Sequence, residues 1–272
     1  MRETETMKRL WILGVAGAFV AGSALAANLA SDDAGNAVYG GGWNTGMNGG
    51  FGFGSWAQQV PEGVGYFYVN SYTANPATVG PGIDTAGVSW GLSVSNSTSA
   101  STFAMRPFTG GSLSVGQTFE ISLQNGYVDG GSVGIDLRDG TSMDAYNTGE
   151  RLSLYFSGGW HIYDGNTNPN LLSYDTGGFK VDFTLTSANT YSLTMINLDP
   201  NAGSGNQSIT VTGTLGGTAD AGIDSVTLYS QQNTTDAYHN MYFNSMAIIP
   251  EPSSIALVGV GLLGLLLRRR RT

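Results

Sequence analysis

The sequence of 272 residues contains no cysteine. That excludes a disulfide framework, a thiolate zinc site and a cysteine nucleophile, so packing and hydrogen bonding alone must hold the fold. Charge is also scarce: 11% of residues are charged, where roughly 25% is usual in soluble domains. Lys and Arg number 11 against 20 Asp and Glu, a net charge of −9, and no basic face is available for a nucleic-acid partner. The two histidines, His161 and His239, show no His-x-His or His-x-x-x-His spacing that would suggest a metal pair. The serine-nucleophile elbow of hydrolases, the phosphate-binding P-loop and a dinucleotide fingerprint following a strand have no counterpart. What is plentiful is glycine, 41 residues of it. With 41% hydrophobic and 11% aromatic residues beside it, the chain has the means to fold.

Both ends read as addresses rather than as parts of a fold. Near the start, Met7-Lys8-Arg9 is followed by an apolar run and then by Gly22-Ser23-Ala24-Leu25-Ala26. A basic segment, a short apolar segment and small residues at −3 and −1 (Ala24, Ala26) are what the translocon and signal peptidase require, so residues 1–26 are expected to be a signal peptide of the Sec route, cut before Ala27. Glu3 and Glu5 bring acid into a region that should be basic, which suggests that translation starts at Met7. At the other end Pro250-Glu251-Pro252 precedes an uncharged apolar run over residues 255–267 and then Arg268, Arg269, Arg270 and Arg271. As a helix the run rises about 20 Å, short of the ~30 Å hydrocarbon core, and snorkelling arginines can make up part of the difference. Four arginines hold that end cytoplasmic while the body lies outside.

These C-terminal features together resemble the PEP-CTERM sorting signal of Gram-negative bacteria. The resemblance implies recognition by an exosortase, a membrane-embedded transpeptidase-like enzyme, with processing near Pro250, Glu251 and Pro252. It further implies a transient inner-membrane intermediate and a body that ends at the cell surface or in an exopolysaccharide or biofilm matrix. Two prolines suit such a role, because they forbid helix at and before the junction and leave it extended.

Between the addresses, residues 27–249 carry four basic residues (Arg106, Arg138, Arg151, Lys180) and 17 acidic ones. Apolar and polar residues alternate in segments such as Ser132-Val133-Gly134-Ile135-Asp136-Leu137-Arg138 and Lys180-Val181-Asp182-Phe183-Thr184-Leu185-Thr186. Clusters of Gly, Asn, Asp and Ser interrupt them about every ten residues. This predicts an all-β antiparallel sandwich or jelly roll of about 12 strands. Residues 179–186 and 191–196 should form a hairpin joined by Ser187-Ala188-Asn189-Thr190, residues 209–213 should continue the meander, and a last strand over about 241–248 should run straight into the sorting signal. Phrases such as Gly41-Gly42-Trp43, Gly52-Phe53-Gly54-Ser55-Trp56 and Arg106-Pro107-Phe108 also resemble a group of PEP-CTERM proteins with β-sandwich bodies.

Convergent chemistry is sparse. The body holds three glutamates, Glu62, Glu120 and Glu150, and no paired-carboxylate motif of the jelly-roll glycanases. A shared cleft and solvated strand faces account equally well for Glu120 and Asp136, which lie on alternating strands. The expectation is therefore a protein that is not an enzyme and has no cofactor. Calcium is the one metal worth weighing, since Asp164, Asn166, Asn168 and Asp175 follow the spacing of an oxygen-rich loop, although Pro169 stands where that loop needs glycine. Asp32 and Asp33 are a second oxygen pair. Aromatics offer a different function, capture of exopolysaccharide by a carbohydrate-binding sandwich. Trp43 and Trp56 are the candidate rings, with Trp43 in Gly40-Gly41-Gly42-Trp43-Asn44 expected to be the most exposed because no apolar pattern surrounds it. For any single tryptophan, core packing is the simpler expectation.

Overall fold

A computed structural model describes residues 27–70, 82–94, 100–128, 130–143, 148–166, 170–231 and 240–251. The leader with Ala24 and Ala26, the loop residue Asn168, His239, Pro252, the apolar run 255–267 and Arg268, Arg269, Arg270 and Arg271 lie outside those residues. Among the described residues no helix is long and apolar enough to cross a membrane.

The described strands are β1 (Ala30–Asp32), β2 (Ala57–Glu62), β3 (Gly65–Asn70), β4 (Ser89–Val94), β5 (Ser101–Pro107), β6 (Thr118–Asn125) and β7 (Ser132–Arg138), followed by β8 (Glu150–Phe156), β9 (Trp160–Tyr163), β10 (Phe179–Ser187), β11 (Thr190–Asn197), β12 (Ser208–Thr214), β13 (Ser225–Gln231) and β14 (Met241–Ile249). A short 3-10 turn, Ala37–Gly41, follows β1. The count of 14 exceeds the expected 12 because elements as short as β1 and β9 leave no alternation to read.

Two antiparallel sheets form. One runs β12-β11-β10-β6-β14-β4-β3, with β1 added along β14; the other runs β2-β5-β13-β7-β8-β9. Alternation decides the inner faces: Phe179, Val181, Phe183 and Leu185 of β10 and Val133, Ile135 and Leu137 of β7 are all buried in one shared core. The expected hairpin is present as β10 and β11, with strands long enough to leave only Ala188 and Asn189 between them, and β12 extends it as a meander. In β3, Phe67 packs on the core while Tyr66 is exposed and Tyr68 meets Tyr242 on the opposite face, as alternation requires.

β14 is an inner strand of its sheet, between β6 and β4, and changes partner midway. Met241, Tyr242 and Phe243 pair with β4, whereas Met246, Ala247 and Ile248 pair with β1. The switch falls at a bulge against β6 between Asn244 and Ala247, where Ser245 adopts a φ of 55°. Asn244 holds the bulge from inside: its Nδ2 donates to the carbonyls of Ile83 at 2.9 Å and Val88 at 3.0 Å, and its Oδ1 accepts from Ala34 N at 2.8 Å.

The N-terminal segment is pinned by a buried charge. Arg106 of β5 is fully buried, pairs with the equally buried carboxylate of Asp32, and donates from Nε to Gly54 O at 2.9 Å. Its guanidinium lies 5.1 Å from the Phe53 ring centroid and 5.0 Å from that of Trp56. Asp32 also accepts from Tyr39 Oη and, at 2.6 Å, from Asn36 Nδ2. Burial and the Asp32 contact push the Tyr39 hydroxyl up to about 12. The oxygen pair considered for calcium is thus otherwise engaged, because Asp32 is neutralised by a cation of the protein's own.

Candidate functional site

The sorting junction is the first site. β14 pairs with β6 as far as Ile249 opposite Thr118, and Pro250 and Glu251 follow at once. Glu251 lies against Gly116, whose φ of +87° and N–H bond to Leu185 O at 2.7 Å fix the turn before β6. A Cβ built on Gly116 would stand 2.7 Å from Cδ of Glu251, so the bare glycine leaves room for the Glu251 side chain against the body.

The second site lies on the outer face of the six-stranded sheet. The pairings place Phe103 of β5, Tyr229 of β13, Gly134 of β7, Tyr155 of β8 and His161 of β9 in one cross-strand row. Phe103 and Tyr229 have ring centroids 6.5 Å apart, and Tyr155 stacks on His161 at 5.2 Å and 23°. Between these two pairs stands a residue with no side chain. The ring of Tyr229, itself 3% exposed, leans across β7 toward β8, and Gly134 is buried; beside it lies a groove of about 450 Å³ lined by Ser132, Glu150, Ser153, Tyr155, Ser157, Tyr163 and Tyr229. Gly134 cannot be enlarged without moving backbone, since a Cβ there would come within 2.3 Å of Leu154 O. Tyr229 Oη is 3.2 Å from Ser153 Oγ, which fixes one wall.

Charge collects beside the groove. Asp136 of β7 is buried, 3.2 Å from Arg138 Nη1, and hydrogen-bonded to Ser153. Burial and then the charge of Glu150 push Asp136 up to about 7, and burial likewise raises Glu150. Arg138 also donates to the Thr148 carbonyl and stands across the sheet from Glu150. Thr227, opposite Asp136 on β13, is fully buried, and its Oγ1 has no hydrogen-bond partner among the described residues.

Several expectations need correction. Trp43 and Trp56 are each 1% exposed and cannot bind a glycan as they stand. They pack edge to face at 4.8 Å, with Trp90 at 6.1 Å and 5.3 Å and with Phe67 5.7 Å from Trp43, so partners distant in sequence supply the apolar surroundings that the local pattern lacks. Glu120 and Asp136 do not share a cleft: Glu120 lies on β6 in the other sheet, where it accepts from Lys180 Nζ at 2.7 Å. In the loop considered for calcium, Asp164 accepts from Tyr191 Oη at 2.8 Å and Asn166 N at 3.4 Å, while Asp175 accepts from Gly177 N at 3.0 Å and Asn206 Nδ2 at 3.3 Å. The contacts from Asn166 N and Gly177 N are turn-forming, whereas those from Tyr191 and Asn206 tie the two carboxylates to β11 and to the loop before β12; Asn168 lies outside the described residues. Two segments do have the G-x-S-x-G spacing, Gly87-Val88-Ser89-Trp90-Gly91 and Gly130-Gly131-Ser132-Val133-Gly134, and Ser89 is buried at the start of β4. Ser132 opens β7, however, instead of topping a strand-to-helix turn, so the nucleophile geometry is not formed.

Comparison with known proteins places one part of the chain. Residues 249–271 match the PEP-CTERM protein-sorting motif. The chain thus carries, on a β-sandwich body, a signal that marks export and exosortase-dependent delivery to the surface or the exterior. No curated protein matches the sequence. Similar solved structures include a legume lectin-like domain from Entamoeba histolytica, at 9% identity, TM-score 0.39, and coverage of 68% of this chain and 89% of that one. Another is a family 11 carbohydrate-binding module from Clostridium thermocellum in complex with a mixed-linked tetrasaccharide, at 11% identity, TM-score 0.38, and coverage of 82% and 98%. A protein of unknown function from Shewanella oneidensis MR-1 gives 10% identity, TM-score 0.38, and coverage of 69% and 88%. Likeness at that level assigns the chain neither a ligand nor an activity.

Proposed function

We propose that this is a non-catalytic cell-surface or extracellular-matrix protein whose sandwich is the cargo of its C-terminal sorting signal. The observation that carries the reading is the junction: the matched motif begins at the last residue of β14, and Glu251 is seated on Gly116 with no linker between body and signal. The leader sends the chain through Sec and signal peptidase cuts before Ala27. Residues 255–267 then hold it in the inner membrane while Arg268, Arg269, Arg270 and Arg271 stop transfer. Pro250, Glu251 and Pro252 are thereby offered to the exosortase just outside the membrane, and the body goes on to the surface or matrix.

Replacing Arg268, Arg269, Arg270 and Arg271 together with Ser is expected to abolish retention and processing. Pulse-chase labelling in the native host, read by the mass of the precursor, checks this. Maturation at the wild-type rate would overturn the proposal.

A further inference from the structure

We infer that β12 pairs with the β12 of a second copy of this chain, antiparallel and in register about Val211, so that the eight-stranded sheet continues from one body into the next. The pairing goes beyond the sorting function and does not depend on export; it follows from how the sheet ends.

β12 is the last strand of its sheet, with β11 on one side and, among the described residues, no strand on the other. The ladder to β11 is bounded by the bonds from Asn197 N to Gln207 O and from Leu215 N to Asn189 O, each at 2.8 Å. Antiparallel bonds alternate in direction along a strand, so Ile209, Val211 and Gly213 direct theirs to β11. The N–H and C=O groups of Ser208, Thr210, Thr212 and Thr214 point to the open side, and those four residues are exposed. The described residues offer these backbone groups no partner.

An open edge of this kind is a template for another strand, and folds usually blunt it. The six-stranded sheet does so. β2 carries Pro61, Glu62 and a register shift against β5, and the free side of β9 is taken by Leu171 N to Trp160 O at 2.7 Å and Trp160 N to Leu172 O at 2.9 Å. β12 has none of these devices. It reads Ser208-Ile209-Thr210-Val211-Thr212-Gly213-Thr214, without charge, proline or a shift in its pairing, in a body with 17 acidic residues and four basic ones. Bodies so acidic repel one another, and a strand free of carboxylates is where two of them can meet without setting like charges face to face.

The partner is a second copy because the strand is complementary to itself. Its 7 residues are centred on Val211, so full antiparallel overlap sets Thr210 opposite Thr212 and Ser208 opposite Thr214, outward groups facing outward groups throughout. The outward residues of the two copies then exchange about eight N–H···O bonds. Val211 falls on the two-fold axis, opposite its own copy. Ile209 and Val211 are partly buried at the margin of the core, and an added strand covers the flank that the sheet leaves bare. Thr210 opposite Thr212 repeats the cross-strand contact that Thr210 Oγ1 already makes with Thr194 Oγ1 at 2.9 Å. One strand on each side falls short of the roughly 800 Å² per partner of a stable complex, so the pairing is weak and forms where chains are concentrated.

The chain has no cysteine, so single introduced cysteines report the register. At the axis two Cα atoms lie about 4.5 Å apart, within disulfide reach, whereas Ser208 lies about 20 Å from its own copy. Purified full-length protein in detergent is oxidised with copper phenanthroline and read on non-reducing gels. Val211→Cys should give at least about five times more disulfide dimer than Ser208→Cys. Adding Thr212→Pro, which removes an outward N–H and spares the β11 ladder, should cut that dimer at least about fivefold. Thr210→Cys and Thr212→Cys, at exposed positions, decide the register where Val211→Cys disturbs the fold. Chains carrying them should join to each other more than to themselves, because each self distance, about 8–9 Å, exceeds what a disulfide spans. Equal dimer from Val211→Cys and Ser208→Cys, dimer undiminished by Thr212→Pro, self-joining of Thr210→Cys as strong as its joining to Thr212→Cys, or no dimer in any variant would overturn the pairing.

Discussion

Arg106→Met is expected to destabilise the body by about 3–5 kcal/mol, because it strands the Asp32 carboxylate in a site where nothing else neutralises it. For a domain of this size that corresponds to a fall in melting temperature of roughly 6–20 °C. Both side chains of the pair are 0% exposed, so water cannot reach in to solvate the carboxylate that remains. The rest of the local structure depends on the same anion. Tyr39 and Asn36 donate to it, and the Tyr39 hydroxyl in turn accepts from Gly49 N at 3.0 Å and Trp56 Nε1 at 3.1 Å. The N-terminal segment, from β1 to Trp56, should therefore loosen first. The double variant Arg106→Met with Asp32→Leu removes both charges and should recover much of the loss, a coupling that a double-mutant cycle measures. Lys180→Ala is the control. Its pairs with Glu120 at 2.7 Å and Asp182 at 3.1 Å are partly exposed, so its loss should cost less than about 1 kcal/mol. Thermal melts followed by circular dichroism decide the matter: if Arg106→Met melts no lower than Lys180→Ala, the buried pair does not organise this end of the body.

That pair also shows where reading the sequence stops. Arg106 is visible as one of four basic residues in the body, but its burial depends on Asp32, 74 positions away, and on two rings of a glycine-rich stretch with no period of its own. Trp43 misled for the same reason. Its neighbours in the chain are glycines and asparagine, whereas its neighbours in space come from β3, β4 and β14. By contrast β6, β7, β10, β11 and β12 were legible because period-two alternation is a local signal, and the junction was legible because a sorting signal must be readable in an extended chain. The groove sits between these cases. Gly134, Tyr155 and Tyr229 each occupy an outward position that alternation identifies, yet their meeting is a matter of register across three strands, which no local pattern encodes. The same register separates Glu120 from Asp136 and brings Asp136 near Glu150 instead.

The acid cluster gives the body a pH dependence of a definite sign. Asp136 titrates near 3.8 in an unfolded chain and near 7 in the fold, with Glu150 shifted in the same direction. Between those values the folded state binds the extra proton, so stability is fully present below about pH 4 and is lost as pH rises, with the loss complete above about pH 8. At 1.36 kcal/mol per unit the shift of Asp136 corresponds to a loss on the order of 4 kcal/mol. The physical cause is a surplus of anions over cations: Arg138 can neutralise one of two buried carboxylates, and ionising the second leaves a net negative charge away from water. Asp136→Asn keeps the shape, leaves Arg138 to Glu150 and removes the surplus. It should flatten the slope, raising the melting temperature above wild type far more at pH 8.5 than at pH 5, where Asp136 holds its proton in the fold and only the first part of the loss has set in. Melting curves of both proteins at the two pH values measure the difference directly. A wild-type protein equally stable at pH 5 and pH 8.5, or an Asp136→Asn variant with the wild-type slope, would show that Arg138 neutralises both carboxylates at once.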